Sequence, residues 1–388
     1  MKITIIVGGR FHAFNLAEEL DAKGCLKQLI TSYPKGYINK HFKIELDRVI
    51  SIKLKEILSR IPILNNILSN KISNYFETSA SKYFDPSNTD ILIGWSGFSL
   101  KSFQKAKSYK CLKVLERGST HIEFQKEILL KEYNLLKVKP DVPNNYIIKK
   151  EIQEYELADF ISVPSEFAKK TFIERGIDKK KIIKIPYGVD IKQFNRENLQ
   201  DKKDDKFRII YVGNSSVRKG IIYLLKAFAE LNLDGSELLI VGGVEKSLYP
   251  IIKNYFKNGK IKHIKSQKQN NLKKYYNISK LFITCSIEEG LSMVQLQAMA
   301  CGLPVISTVN AGAEEIVSNQ LNGYILPIRD IEALKEKIKY LYQNPEVLKT
   351  MGCKAKEKSR NYFTWKEYGS KVISNYQNLL KERIKNAK

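Results

Sequence analysis

The chain has 388 residues, 43% hydrophobic and 28% charged, a globular composition suited to two domains of about 150–200 residues rather than one core. Lys and Arg exceed Asp and Glu by 25, so a partner would be anionic: nucleic acid, a phosphorylated small molecule or an acidic membrane face. A bias toward Lys, Ile and Asn accounts for the same excess, and no basic block or tail singles out one partner.

Five widely spaced cysteines (Cys25, Cys111, Cys285, Cys301, Cys353), with no C-x-x-C pair, argue against a disulfide framework or a zinc site and for a reducing compartment. The apolar run 3–7, ended by Gly8-Gly9, lacks the length and cleavage site of a signal peptide. No stretch reaches the ~18 apolar residues of a membrane span. The expectation is a cytosolic protein, with peripheral attachment to the inner membrane face as an alternative.

In chain order, the pattern predicts a strand over 3–7, a Gly-Gly turn, and a helix over 12–23 with Phe14, Leu16, Ala17 and Leu20 on one face. The segment 52–68 sets Ile and Leu among Lys53, Lys55 and Arg60 and reads as a basic amphipathic helix broken near Pro62, for a core face or a membrane surface. Further strands are expected at 91–94, 111–115, 160–163 and 182–185. The polar, aperiodic stretch 196–206 reads as a linker. The pattern then restarts with strand 207–212, a glycine-bounded turn from Gly213 to Gly220, helix 221–231 and strand 237–241. Strand 281–285, helix 291–300, strand 304–307 and helices at 330–342, 345–359 and from Trp365 complete it. Alternating strands and helices imply an α/β chain: two facing Rossmann-like domains with parallel sheets and a cleft lined by the strands' carboxyl ends. The domains are expected at 1–195 and 207–362, with a helix at 363–388 returning toward the first.

The sequence has no P-loop, no H-E-x-x-H, no G-x-S-x-G and no D-x-D, which argues against a sugar diphosphate held through a divalent metal. Phosphate would be handled by backbone amides and basic side chains. The strongest constellation runs from Glu288-Glu289-Gly290-Leu291-Ser292-Met293 to Gln297 and on to Gly302-Leu303-Pro304. A strand leads into an acidic-glycine corner, and a helix N-terminus at 290–293 would offer free amides to an anion. Glu289 and Gln297 lie eight positions apart, roughly 12 Å along a helix, about the separation of a transferred sugar from the ribose of its nucleotide. A capping carboxylate followed by an exposed glutamine is the structural alternative.

This stretch resembles the E-x7-E signature of the retaining glycosyltransferases of family 4, which have the GT-B fold. The resemblance implies that Glu289 contacts the donor sugar and that Gln297, replacing the usual Glu, binds the ribose. Tyr211-Val212-Gly213-Asn214-Ser215-Ser216-Val217-Arg218-Lys219-Gly220 is similar to the family's loop whose Arg and Lys hold the pyrophosphate. Lys219 falls on the family lysine; Asn214 occupies the arginine position, and Arg218 would supply the missing charge. Gly8 and Gly9 resemble the N-terminal glycine loop near the donor phosphate, and His121 the histidine near the donor sugar. Looser similarity extends to Pro186–Asp190, Asn310–Glu315, Asn322–Tyr324 and Phe363–Trp365.

The resulting expectation is a metal-independent retaining glycosyltransferase without cofactor. It would take a nucleotide diphosphate sugar as donor in the second domain and a glycan, glycolipid or small-molecule acceptor in the first, in cell-surface polysaccharide or glycolipid synthesis. An anionic membrane surface is a further candidate partner, and nucleic acid is not expected. The rival readings are a sugar-nucleotide-binding protein without turnover, which Gln297 and Asn214 keep open, and a basic nucleic-acid-binding protein. The latter lacks clustered aromatic residues on a basic face.

Overall fold

The structure, a computed structural model, describes residues 1–59, 62–195 and 205–386, with the side chains of 59–67 and 386 left aside. Its first sheet is built from β1 (Ile3–Val7), β2 (Leu26–Thr31), β3 (Val49–Ser51), β4 (Ile91–Trp95), β5 (Leu112–Glu116), β6 (Phe160–Val163) and β7 (Ile182–Lys184). These lie in the order β3-β2-β1-β4-β5-β6-β7, every pair parallel. The second contains β8 (Phe207–Val212), β9 (Ser236–Val241), β10 (Ile261–Ile264), β11 (Leu281–Ile283), β12 (Val305–Thr308) and β13 (Gly323–Leu326). Their order is β10-β9-β8-β11-β12-β13, again all parallel. The expected α/β architecture of two Rossmann-like domains is therefore observed.

The central strands β1, β4, β8, β9 and β11 are buried along their whole length, as sheets covered by helices on both faces require. The helix Ile221–Leu231 shows why such elements form. It buries Ile221, Ile222, Leu224, Leu225, Ala227 and Phe228 as one stripe. It starts at Gly220, whose φ of 60° is left-handed and where a Cβ would come within 2.0 Å of the Cys285 carbonyl oxygen.

Strand order reverses between β1 and β4 in one sheet and between β8 and β11 in the other. At such switch points a crevice opens beyond the carboxyl ends of the strands. The loops concerned are 8–12 and 96–99 in the first domain and 213–220 and 284–292 in the second. One loop from each pair contacts the opposite domain: Ser165 Oγ donates to the Gly290 carbonyl at 2.6 Å and Arg10 Nη2 to Gln269 Oε1 at 2.9 Å.

The helix Trp365–Asn386 crosses back to the first domain and lies against the helix Ala13–Ala22. Gly369 makes the close approach, since a Cβ there would sit 2.5 Å from Cβ of Glu19. Tyr368, Val372 and Tyr376 are buried in the same cluster as Leu16 and Leu20.

Strands β2, β3, β10 and β13 were not expected, and 322–324, read as a turn, instead leads into β13. Of the expected linker 196–206, residues 196–204 lie outside the described residues. The expected amphipathic helix 52–68 is two helices, Leu54–Ser59 and Pro62–Tyr83. Ile52 is buried while Leu54 and Ile57 are exposed, and the side chains of its second half are outside the described set. Among the described residues no helix is long and apolar enough to cross a membrane.

Candidate active site

After β11 the chain turns through Ser286, Ile287, Glu288 and Glu289 before the helix Met293–Ala300 begins. The end of β12 braces this corner. Thr308 Oγ1 donates to the Ser286 carbonyl at 2.6 Å, Asn310 Nδ2 to that of Ile287 at 2.9 Å, and the Glu289 amide to that of Asn310 at 2.9 Å. The Glu289 carboxylate is then held by Ser286 Oγ at 3.2 Å and by an ion pair with Lys219 Nζ. The lysine reaches it from the loop after β8, whose Arg218 carbonyl accepts from the Ile287 amide at 2.9 Å. The structure thus brings Glu289 and Lys219 together at the switch point of the second sheet.

Arg218 turns elsewhere. Its Nε donates to Glu288 Oε2 at 2.7 Å and its Nη2 to Ser119 Oγ of the first domain at 3.0 Å. Glu288 is fully buried and also accepts from Ser119 Oγ, Thr120 Oγ1 and Gln125 Nε2. Burial pushes its carboxyl up, but the Arg218 charge and those hydrogen bonds prevail and hold it near 2. In this state each cation of the loop pairs with one of the adjacent acids, Arg218 with Glu288 and Lys219 with Glu289.

Gly213, at a φ of 145°, donates its amide to the Val241 carbonyl at 2.9 Å, and the Asn214 carbonyl accepts from the Tyr211 hydroxyl at 2.9 Å. Gly8 packs beneath the Phe98 ring and Gly9 beside that of Phe11. Phe11, at a φ of 39°, is largely exposed beside the junction.

Two expectations need correction, the start of the helix after β11 and the placement of His121. The helix begins at Met293, not at 291, because the Ser292 amide is drawn to the Ala311 carbonyl and the Leu291 side chain is buried in the core. A Cβ on Gly290 would stand 2.4 Å from the Gly118 carbonyl oxygen, so this residue is a domain contact as much as an amide donor. Gln297 is buried, unlike the exposed glutamine of the structural alternative, and its Oε1 accepts from the Tyr276 hydroxyl at 3.1 Å. His121 faces the core of the first domain, with its ring 5.0 Å from Tyr155 and 5.1 Å from Phe172. Its Nδ1 accepts from the Glu123 amide at 3.3 Å and so caps the helix Ile122–Leu135. Burial, aided by Arg117 and Arg175, pushes its pKa down to about 4.

Another histidine lies closer to the strand ends. His12 is buried with its Nε2 3.4 Å from Glu116 Oε2, and its ring centroid is 4.2 Å from that of Tyr187. Burial, with Glu116 and then Glu289, raises the Tyr187 hydroxyl well above its ordinary pKa. His12, Glu116 and Tyr187 were assigned no role from the sequence; for Glu116 and Tyr187 the signal available was their position just after the predicted strands 111–115 and 182–185. Among the described residues no three His, Cys, Asp or Glu side chains converge as a metal site.

Residues 192–358 match the family model described as glycosyl transferases group 1. This stretch is a group 1 glycosyl transferase domain. It contains the Lys219–Glu289 pair and both loops of the second switch point. Curated relatives include an uncharacterized glycosyltransferase of Methanocaldococcus jannaschii, 29% identical over 60% of this chain and 60% of its own. The capsular polysaccharide biosynthesis glycosyltransferase CapM of Staphylococcus aureus is 26% identical over 61% of this chain and 66% of its own. The chain thus spans less than two thirds of the length of the curated relatives it matches. The sucrose-phosphate synthase structure from Thermosynechococcus elongatus superposes with a TM-score of 0.71 at 19% identity, covering 98% of this chain and 100% of that one. HepE of Anabaena, solved with UDP and glucose, gives 0.69 at 16% identity over 97% and 99%. These likenesses give the group 1 domain and its partner the GT-B fold.

Proposed function

We propose that this protein is a retaining glycosyltransferase that moves a sugar from a nucleoside diphosphate sugar to an acceptor hydroxyl without a metal ion. The observation that carries the reading is the Glu289–Lys219 pair, seated at the switch point of the group 1 domain and facing the first domain. A diphosphate arriving beside Lys219 offers it a stronger anionic partner than one carboxylate. Glu289 is then released to accept hydrogen bonds from sugar hydroxyls. Lys219 and Arg218 stabilise charge on the leaving diphosphate, the role a metal fills elsewhere. The acceptor hydroxyl attacks from the face the diphosphate leaves, and a diphosphate oxygen takes its proton, so configuration is retained. The amides at Gly290, Leu291 and Met293 supply further donors, and Gln297 Nε2 binds the ribose diol.

The acceptor is assigned to the first domain, beside His12, Phe11 and Phe98. The relation to CapM supports cell-surface polysaccharide synthesis as the setting, and the solved HepE complex supports UDP-sugars as the first donors to try. The test is a thermal-shift screen over UDP-, GDP- and ADP-sugars followed by turnover of the radiolabelled hit. Binding to the native state raises its melting temperature. A hit with turnover that survives EDTA supports the reading. A hit without turnover indicates a sugar-nucleotide-binding protein, and no hit at all overturns the donor site.

A further inference from the structure

Glu288 has no task in the transfer as described, yet the most elaborate polar arrangement at the junction is built around it. Its Oε1 accepts from Ser119 Oγ at 2.6 Å, Thr120 Oγ1 at 2.6 Å and the Thr120 amide at 3.2 Å. Its Oε2 accepts from Gln125 Nε2 at 2.9 Å and Arg218 Nε at 2.7 Å. Four of these five donors come from the first domain and one from the second. A carboxylate this deeply buried is tolerable only while its partners are present. Its satisfaction therefore depends on the two domains being together.

The same contacts fix Arg218. Glu288 holds its Nε edge and Ser119 Oγ holds Nη2, whereas Nη1 has no hydrogen-bond partner among the described residues. The Arg218 side chain stays about one third exposed, at 35%. The rest of the first-domain helix Ile122–Leu135 reinforces the arrangement. Gln125, Leu129, Glu132 and Tyr133 form one buried stripe on it, at helical spacing. Leu129 and Tyr133 enter the core cluster of the second domain. Glu132 pairs with Arg329 Nε at 2.7 Å, and Tyr133 donates to Glu245 Oε1 at 2.9 Å. Glu245 in turn accepts from the Val217 amide at 3.0 Å, so the first domain reaches the phosphate-side loop at two adjacent residues, Val217 through Glu245 and Arg218 through Ser119.

We infer that Glu288 is a positioning residue. Its carboxylate clasps the Ser119–Gln125 segment and by the same bonds aims the Nη1 edge of Arg218 at the donor diphosphate, making the donor site complete only when the acceptor domain is docked. The aim at a diphosphate rests on the function proposed above; the clasp on Arg218 does not.

Two measurements separate these. In the first, labelling of Arg218 by phenylglyoxal is followed by peptide mass spectrometry without any nucleotide. Labelling should speed up about fivefold or more in Glu288→Gln and in Ser119→Ala, the range of a modest coupling between contacting groups. Glu237→Gln, which breaks an ion pair with Arg208 wholly inside the second domain, should leave that rate unchanged. Ser119→Ala removes only one hydroxyl and keeps the test open if Glu288→Gln does not fold. Equal labelling rates in wild type and Ser119→Ala overturn the clasp.

The second measurement is UDP affinity by calorimetry, with GDP and ADP in parallel. Ser119→Ala should weaken the nucleotide that binds by about tenfold, but by less than about twofold when Arg218 is already Ala. A full and additive loss in the Arg218→Ala background means that Ser119 and Glu288 do not act through the arginine, and overturns the inference. Binding of none of the three nucleotides, with the labelling result intact, defeats the proposed function and leaves the clasp standing.

Discussion

Glu288 and Glu289 are neighbours in sequence with opposite surroundings. The first is enclosed by donors from both domains, and the second meets one serine and one lysine at the junction. Glu289→Ala should therefore lower turnover by orders of magnitude while leaving nucleoside diphosphate affinity nearly intact; near-normal turnover in a folded variant would remove Glu289 from the mechanism. Gln297→Glu keeps an oxygen for the Tyr276 hydroxyl and should fold and stay active, whereas Gln297→Ala should weaken nucleotide binding by about 1–2 kcal/mol. His121 makes a pH prediction. An unfolded chain protonates this ring near its ordinary 6.5, but the folded one only near 4. Between those values the unfolded state binds more protons, so the contribution is complete above about pH 6.5 and is lost as pH falls through 4. The slope of melting temperature against pH in that window should flatten in His121→Gln. An unchanged slope would mean that the ring is not buried neutral.

At the level of elements, the strand–glycine–helix units decide where chemistry can occur. Gly220→Ala places a methyl against the Cys285 carbonyl in a left-handed turn, and should destabilise the protein by more than about 1 kcal/mol in urea unfolding. A neutral result would mean that this turn relaxes. The strands β1, β4, β8 and β11 were legible because burial on both faces makes their runs predominantly apolar. β10 was not, since Lys262 and His263 are exposed on an edge and erase the pattern. β13 was missed because Gly323 and Tyr324 read equally well as a turn. The Lys219–Glu289 pair was legible from two motifs. The Glu288 clasp was not, because Ser119, Thr120 and Gln125 are ordinary surface types whose meaning appears only when another domain lies against them. His121 misled for a related reason: a position after a strand does not say which way a side chain turns.

For the molecule as a whole, the net charge of +25 could imitate a specific phosphate site. Replacing Arg218 and Lys219 together by Ala should abolish donor binding, whereas replacing the exposed pair Lys253 and Lys257 should not. Added salt screens a diffuse attraction within about 10 Å at 0.1 M but a partly enclosed contact much less, so the wild-type affinity should fall only gently with ionic strength. Equal losses from the two double variants would mean that the phosphate site lies elsewhere. Activity abolished by EDTA and restored by Mg²⁺ or Mn²⁺ would overturn the metal-free mechanism.

The helix that crosses back to the first domain also has a consequence for synthesis. Trp365 leaves the ribosome 181 residues after Lys184 completes the first sheet, a delay of about 10–40 s at ordinary elongation rates. During that interval the nascent first domain lacks the partner of its helix Ala13–Ala22, and the apolar side chains that Tyr368, Val372 and Tyr376 later cover are bare. The domain made first is therefore the domain finished last. Ribosome-bound chains halted near residue 340 should be captured by chaperones that recognise apolar segments, and chains extended past the final helix by a linker should escape them.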